Sequence, residues 1–216
     1  MKFINSMYLI SQYVKPDLTA DLFKKTELTD ITLIVEGKEL HFAKYPLIAG
    51  STVFANMIKK ENSRLVLHGV RYIDMIVFLK CLHPKTLEVI TDSNLEHVAR
   101  IAHRFKQERI LHRCEEYILE KFNQDEMYPD FLFYLKVADQ CKMNEVIQVG
   151  VSSERVKKAF FSRYSYEFPY TGGYENNEDF KELSADTKVQ ILSSRLRFME
   201  KETTSDSYEE TYIVSG

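Results

Sequence analysis

Cysteine is scarce in this chain of 216 residues: three in all, at Cys81, Cys114 and Cys141, far apart and inside apolar helical patterns. An odd, scattered set makes neither a disulfide framework nor a Cys-x-x-Cys motif, so the thiols read as reduced core residues of a cytoplasmic or nuclear protein. Long hydrophobic runs are also missing, and nothing approaches the roughly 18 apolar residues of a membrane span. The amino end, MKFINSMYLISQYV, carries Lys2 and some apolar residues, but Asn5, Ser6, Ser11 and Gln12 break it up before a signal-peptide core is reached. A soluble intracellular protein with no membrane partner is expected. Excess charge is lacking too: a formal net charge of -3 gives no general pull toward nucleic acid or anionic membrane.

Chemistry is equally sparse. An enzyme would need a nucleophile with a base, paired carboxylates in a cleft, or ligands at metal spacing. The six histidines do not supply these, because His97 and His103 fall on different faces of a helix and no His-Glu-x-x-His occurs. Gly172-Gly173 stands alone among aromatics and makes no phosphate loop. No catalytic residue, metal or cofactor is expected. Arg155, Lys157, Lys158 and Arg163 interleave with Phe160, Phe161, Tyr164 and Tyr166, which on a nucleic-acid surface would track phosphates and stack on bases. A solvated helix face followed by core aromatics is the preferred reading, and nucleic acid is not expected as a partner.

What is present is a globular pattern, 44% hydrophobic and long enough to bury a core without staples. Ile31 to Val35 is a branched apolar run that reads as a strand covered on both faces. Glu36-Gly37 supplies a two-residue turn, because glycine accepts the positive φ of a tight hairpin. Leu40 and Phe42 then alternate on the return strand. The period next becomes helical at Leu47, Ile48, Phe54, Met57 and Ile58, broken at Gly50-Ser51 by a C-cap and a new N-cap. Pro46 suits the first turn of the earlier helix.

Asp30 before the strand, Gly37 in the turn, His41 on the second strand, then Leu47, Ala49, Ser51 and Phe54 together resemble the BTB/POZ signature. The resemblance runs on through CLHPKTLEVITDSNLEHVARIAHRFKQERILHRCEEYIL, which is similar to the second half of a BTB domain of the MATH-BTB kind. It implies an α+β fold, a small sheet with a cluster of helices, and makes His41 a fold residue that satisfies backbone groups. A MATH domain would precede it in those relatives; a stub, residues 1–16, is expected in its place here. The domain expected is 17–122.

Along the chain, Asp17 to Leu28 is expected as a short helix with Leu18, Leu22 and Phe23 on one stripe. Arg64 to His68 alternates as a third strand. Helices follow from about Arg71 to Leu82, from a Ser93-x-x-Glu96 capping box through Leu95, Val98, Ala99, Ala102 and Phe105, and over Ile110 to Phe122. A helical pair restarts at Phe131, Tyr134, Leu135, Ala138 and Cys141 with Val146, Ile147 and Val151. Val189, Leu192, Leu196 and Met199 share a later face. Residues 124–200 resemble a short BACK-like extension, with 152–180 departing from its helical repeat. The acidic tail, 201–216, is expected to be disordered.

The resemblance also implies partners. BTB domains of these kinds dimerise and dock the amino-terminal domain of cullin-3, placing a bound protein substrate, of unknown identity here, for ubiquitin transfer. Leu18, Leu22, Phe23, Pro46 and Leu47 are the implied dimer residues; Phe54, Met57, Ile58, Glu61 and His103 are the implied cullin-docking residues. Family members that bind cullin often carry a hydrophobic-x-Glu motif after this helix, whereas Lys59 stands two before Glu61 here. The alternative is a BTB scaffold that pairs with itself or other BTB proteins and recruits no ligase.

Overall fold

The computed structural model describes residues 22–61, 63–123, 131–152 and 177–213. The first strand, β1 (Ile31–Val35), buries Ile31, Leu33 and Val35 on one face and leaves Thr32 and Ile34 half-buried, so its second face is only partly covered. Glu36 and Gly37 both take positive φ, 50° and 75°. That is the geometry whose twist matches a two-residue hairpin. β2 (Lys38–Phe42) accordingly returns antiparallel, with Val35 opposite Lys38 and Ile31 opposite Phe42. β3 (Arg64–Leu67) lies parallel to β1 on its other side, giving the order β2-β1-β3.

A parallel pairing needs a crossover longer than a hairpin turn. Two helices provide it, α1 (Lys44–Ile48) and α2 (Thr52–Glu61). After β3 come α3 (Tyr72–Leu82), α4 (Leu95–Arg104) and α5 (Glu108–Asn123), whose apolar faces are those expected from their spacing. Met75, Phe78 and Leu79 of α3 are fully buried, as are Leu95, Val98, Ala99 and Ala102 of α4. The three cysteines are buried and unbridged. Burial pushes the Cys81 thiol up to about 11, which keeps it protonated and unreactive.

The chain divides into two compact units, Met1–Cys114 and Glu115–Gly216. This boundary falls inside α5 and not in the polar stretch after Phe122. The reason lies in the end of that helix: Phe122 packs on Phe131 and Tyr134, with ring centroids 5.6 and 6.2 Å apart. Within the second unit are α6 (Phe131–Gln140), α7 (Asn144–Ser152), α8 (Glu178–Glu182) and α9 (Ala185–Ile213). Gly150 lets α7 approach closely, since a Cβ there would lie 2.9 Å from both Leu135 and Phe122.

Burial of α6 extends to two charged side chains, Lys136 and Asp139, and each is paired. Lys136 Nζ stands 2.8 Å from Asp179. Asp139 accepts from the Ser184 N–H at 2.6 Å, the Ser184 hydroxyl at 2.8 Å and the Thr187 hydroxyl at 2.7 Å, fixing the first turn of α9. Burial alone would raise the Asp139 pKa, but these hydrogen bonds hold it below the usual carboxylate range.

Four expectations are corrected. The helix through Leu28 ends at Leu22, because the Thr26 and Thr29 hydroxyls take up local backbone groups: Thr26 N–H donates to Thr29 Oγ1 at 2.9 Å and Thr29 Oγ1 donates to the Thr26 carbonyl at 2.9 Å. The residue before α4 is Asn94 and not the expected Ser93; the Ser93 hydroxyl meets Thr91 Oγ1 at 3.0 Å, and Asn94 ties back to Thr91 and Val89. The Val189, Leu192 and Leu196 stripe of α9 is exposed, because Thr187, Ile191 and Phe198 are the side that is buried. The tail expected to be disordered is helical as far as Ile213, and no proline or glycine between Lys201 and Ile213 interrupts it. Leu18, the 1–16 stub, the 124–130 boundary and the basic-aromatic run at 155–166 lie outside the described residues.

Candidate functional site

The implied docking helix, α2, is set in place by its amino end. Ser51 Oγ accepts from the Phe54 N–H at 2.9 Å, the N-cap that the sequence suggested, and donates to the Phe105 carbonyl. Gln107 completes the joint. Its Nε2 donates to the Pro46 and Leu47 carbonyls at 3.2 and 3.1 Å, and the Glu108 N–H reaches the Gly50 carbonyl at 2.9 Å. Gly50 is required for this approach and not as a helix terminator, since a Cβ there would fall 1.9 Å from Gln107 Oε1. The α1–α2 turn is thereby locked to the α4–α5 turn.

Phe54 stacks on Phe105 with centroids 4.5 Å apart and is fully buried. It cannot touch a partner directly, so its place among the docking residues is corrected: it supports the surface from beneath. Met57 and Ile58, one turn further along α2, are half-buried, and Glu61 is exposed. His103, on the last turn of α4, is half-buried beside that same joint. Half-burial suits a docking residue, which needs a fixed rotamer and a free face.

The implied dimer residues separate in the same way. Phe23 packs on Phe42 and His83, with centroids 6.1 and 6.2 Å apart, and Leu47 is fully buried. Both are core residues, because an apolar side chain gives one sequence signal whether it faces its own domain or another. Leu22 and Pro46 are half-buried and line a mostly apolar concavity of about 380 Å³ together with Leu28, Phe42 and His83. Leu28 is 83% exposed and Tyr45, beside Pro46, is 75% exposed. Sequence reasoning missed these two, since neither belongs to a periodic stripe.

His41 does not serve backbone groups through its ring. Its Nδ1 lies 3.0 Å from Thr32 Oγ1, its cross-strand partner, and Nε2 lies 3.6 Å from Glu39. Among the described residues no group of histidine, cysteine and carboxylate side chains is placed to hold a metal ion, and no helix is long and apolar enough to cross a membrane.

One polar cluster has no counterpart in the sequence reading. Asp74 of α3, nearly all buried, accepts from Arg71 Nε and Nη2 at 2.9 and 2.8 Å and from Arg100 Nη2 of α4 at 2.7 Å, with His97 Nδ1 3.2 Å away. Burial would raise the Asp74 pKa; the hydrogen bonds from His97 and Arg71 and their charges outweigh it and bring it to about 2. A carboxylate with a folded pKa below its unfolded value near 3.9 stabilises the fold above that value and loses the contribution as pH falls through the folded one. Between about pH 4 and 2 the first unit should therefore lose about 2 kcal/mol from this group. Urea midpoints measured across that interval should fall in the native chain and more shallowly in Asp74→Asn.

Residues 19–122, containing both surfaces, match the family model described as BTB/POZ domain, and the chain carries a BTB/POZ domain over that span. BTB and MATH domain-containing protein 36 of Caenorhabditis elegans is 29% identical over 100 residues, covering 44% of this chain and 31% of that protein. Kelch repeat and BTB domain-containing protein 2 of Homo sapiens is 27% identical over 206 residues, covering 93% of this chain and 30% of that protein. The solved structure of the BTB (Tramtrack and Bric a brac) domain of human Gigaxonin superposes with a TM-score of 0.38 at 15% identity, covering 54% of this chain and 96% of its own. The chain spans about a third of the length of the curated relatives it matches.

Proposed function

We propose that the chain is a homodimeric substrate adaptor of a cullin-3 ubiquitin ligase, working in the cytoplasm, the nucleus or both, with no catalysis of its own. The observation that carries this reading is the joint at Ser51, Phe54, Phe105 and Gln107, which fixes Met57 and Ile58 on a rigid helix beside the end of α4. Those are the elements on which BTB domains of this kind dock the cullin amino-terminal domain. Leu22, Pro46 and the exposed Leu28 supply an apolar surface for a second copy. The match to the human Kelch-BTB relative runs over 93% of this chain and so past the BTB domain, which supports reading α6 to α9 as a BACK-like extension.

Pull-down with the cullin-3 amino-terminal domain tests the ligase reading. Binding at micromolar concentration is expected, with Met57→Asp abolishing it and leaving the dimer intact; loss of the dimer as well would make Met57 a core residue. Leu22→Asp should yield monomers on light scattering, and an unchanged dimer would remove that surface from the interface. A second reading is favoured by Lys59, exposed where cullin-binding relatives place an apolar anchor. It is a BTB scaffold that pairs with itself or other BTB proteins and recruits no ligase. Absence of cullin binding from a chain that still dimerises selects it.

A further inference from the structure

At the start of α3 a concavity of about 320 Å³ is lined by Gly69, Val70, Arg71, Asp74, Arg100, Ile101 and Arg104. Three guanidinium groups face one carboxylate there, and that carboxylate is already engaged by two of them. The third, Arg104, is held by two backbone carbonyls and an aromatic ring: Nη1 donates to the Gly69 carbonyl, Nη2 to the His68 carbonyl, and the guanidinium lies 5.6 Å from the centroid of Phe105. Gly69 makes this possible. Its φ of 66° turns the carbonyl toward the arginine, and a Cβ would stand 3.2 Å from Arg104 Nη1. Among the described residues Arg104 pairs with no carboxylate.

We propose that this concavity binds an oxyanion, a carboxylate or phosphate group, borne by a peptide segment of a partner protein. A guanidinium offers five N–H donors in a fixed fork that fits two oxygens of such a group. The bonds described leave donors unspent on Arg100 and Arg104, and Asp74 and the two carbonyls hold both side chains in place beforehand. Pre-positioned donors lose little entropy on binding. The charge is also local. Glu36 and Glu96 act on Arg71 from outside the concavity, which confines the positive field and suits one anionic group over a long polyanion. No aromatic side chain lines the site to stack on a base, so a nucleic-acid strand lacks its usual second contact.

Fluorescence polarisation on the full chain tests this with three labelled decapeptides of one sequence, carrying phosphoserine, glutamate or serine at the centre, and with inorganic phosphate as competitor. The phosphoserine or glutamate peptide is expected to bind at least tenfold tighter than the serine peptide, weakening as salt is raised. Arg100→Gln should reduce that binding about tenfold in a chain that still folds, because Asp74 keeps Arg71. Arg104→Gln should reduce it as much or more. Millimolar inorganic phosphate is expected to displace the bound peptide, which locates recognition in the anion itself. Equal binding of all three peptides, full affinity in folded Arg100→Gln, or tighter binding of a single-stranded oligonucleotide than of any peptide would overturn it.

Discussion

Phe54→Ala is expected to lower the unfolding free energy of the first unit by about 3–5 kcal/mol, the range for deleting a buried aromatic ring. The ring is fully buried and stacked on Phe105, so its removal opens a cavity between α2 and α4 that the surrounding side chains refill only in part. Met57→Asp, three positions along the same helix, should shift stability by less than about 1 kcal/mol, because Met57 is half-buried and a charge there can reach water. Urea unfolding of both variants reads the difference directly. A loss below about 1 kcal/mol for Phe54→Ala would place the ring at the surface, and with it the docking role that the sequence suggested.

Asp139→Ala is expected to destabilise the second unit by about 3 kcal/mol. It strips the carboxylate from the Ser184 N–H, the Ser184 hydroxyl and the Thr187 hydroxyl, and hydrogen bonds to charged groups contribute about 1.5–3 kcal/mol each before any rearrangement. Thr187 is buried, so water cannot easily replace what it loses. Thr187→Val should give a smaller loss, about 1 kcal/mol, since it removes the bond to Asp139 and the longer one from the Ser184 hydroxyl but leaves the Ser184 bonds to Asp139 and keeps the shape. Because the folded Asp139 pKa is depressed, its contribution is present above the ordinary carboxylate pKa and is lost as the pH falls through the folded one. Hydrogen exchange at the amides of α9 separates this loss from any effect on the first unit. Unchanged protection of α9 in Asp139→Ala would show that the helix is held by its apolar face alone.

Much of the fold was legible in the sequence because its cues are local. The alternation around Glu36-Gly37 specifies the hairpin, and apolar spacings of three and four specify α3 to α7. What was not legible depends on residues distant in sequence. Asp74 draws its partners from Arg71, His97 and Arg100, and nothing at position 74 marks it as the centre of a cluster. Gly50 reads locally as a helix terminator, yet its function is to leave room for Gln107. The stripe on α9 had the right period and the opposite orientation, because Thr187 and Ser194, which hydropathy treats as surface residues, are on the inner side with hydrogen bonds to Asp139 and the Val151 carbonyl.

The implied site was half legible for a similar reason. Leu22, Pro46, Met57 and Ile58 keep a free face, whereas Phe23, Leu47 and Phe54 do not, and one-dimensional pattern cannot separate the two groups. Separation required knowing that the α1–α2 turn meets the α4–α5 turn. The fully buried members hold the half-buried ones in register, which is how a small domain presents a fixed surface.

Light scattering on the full chain, alone and mixed with the cullin-3 amino-terminal domain, bears most directly on the adaptor reading. The predicted result is a particle of twice the 25.4 kDa chain mass, growing by two copies of the cullin domain when the two are mixed. A species of 25.4 kDa whose mass the cullin domain leaves unchanged would contradict it.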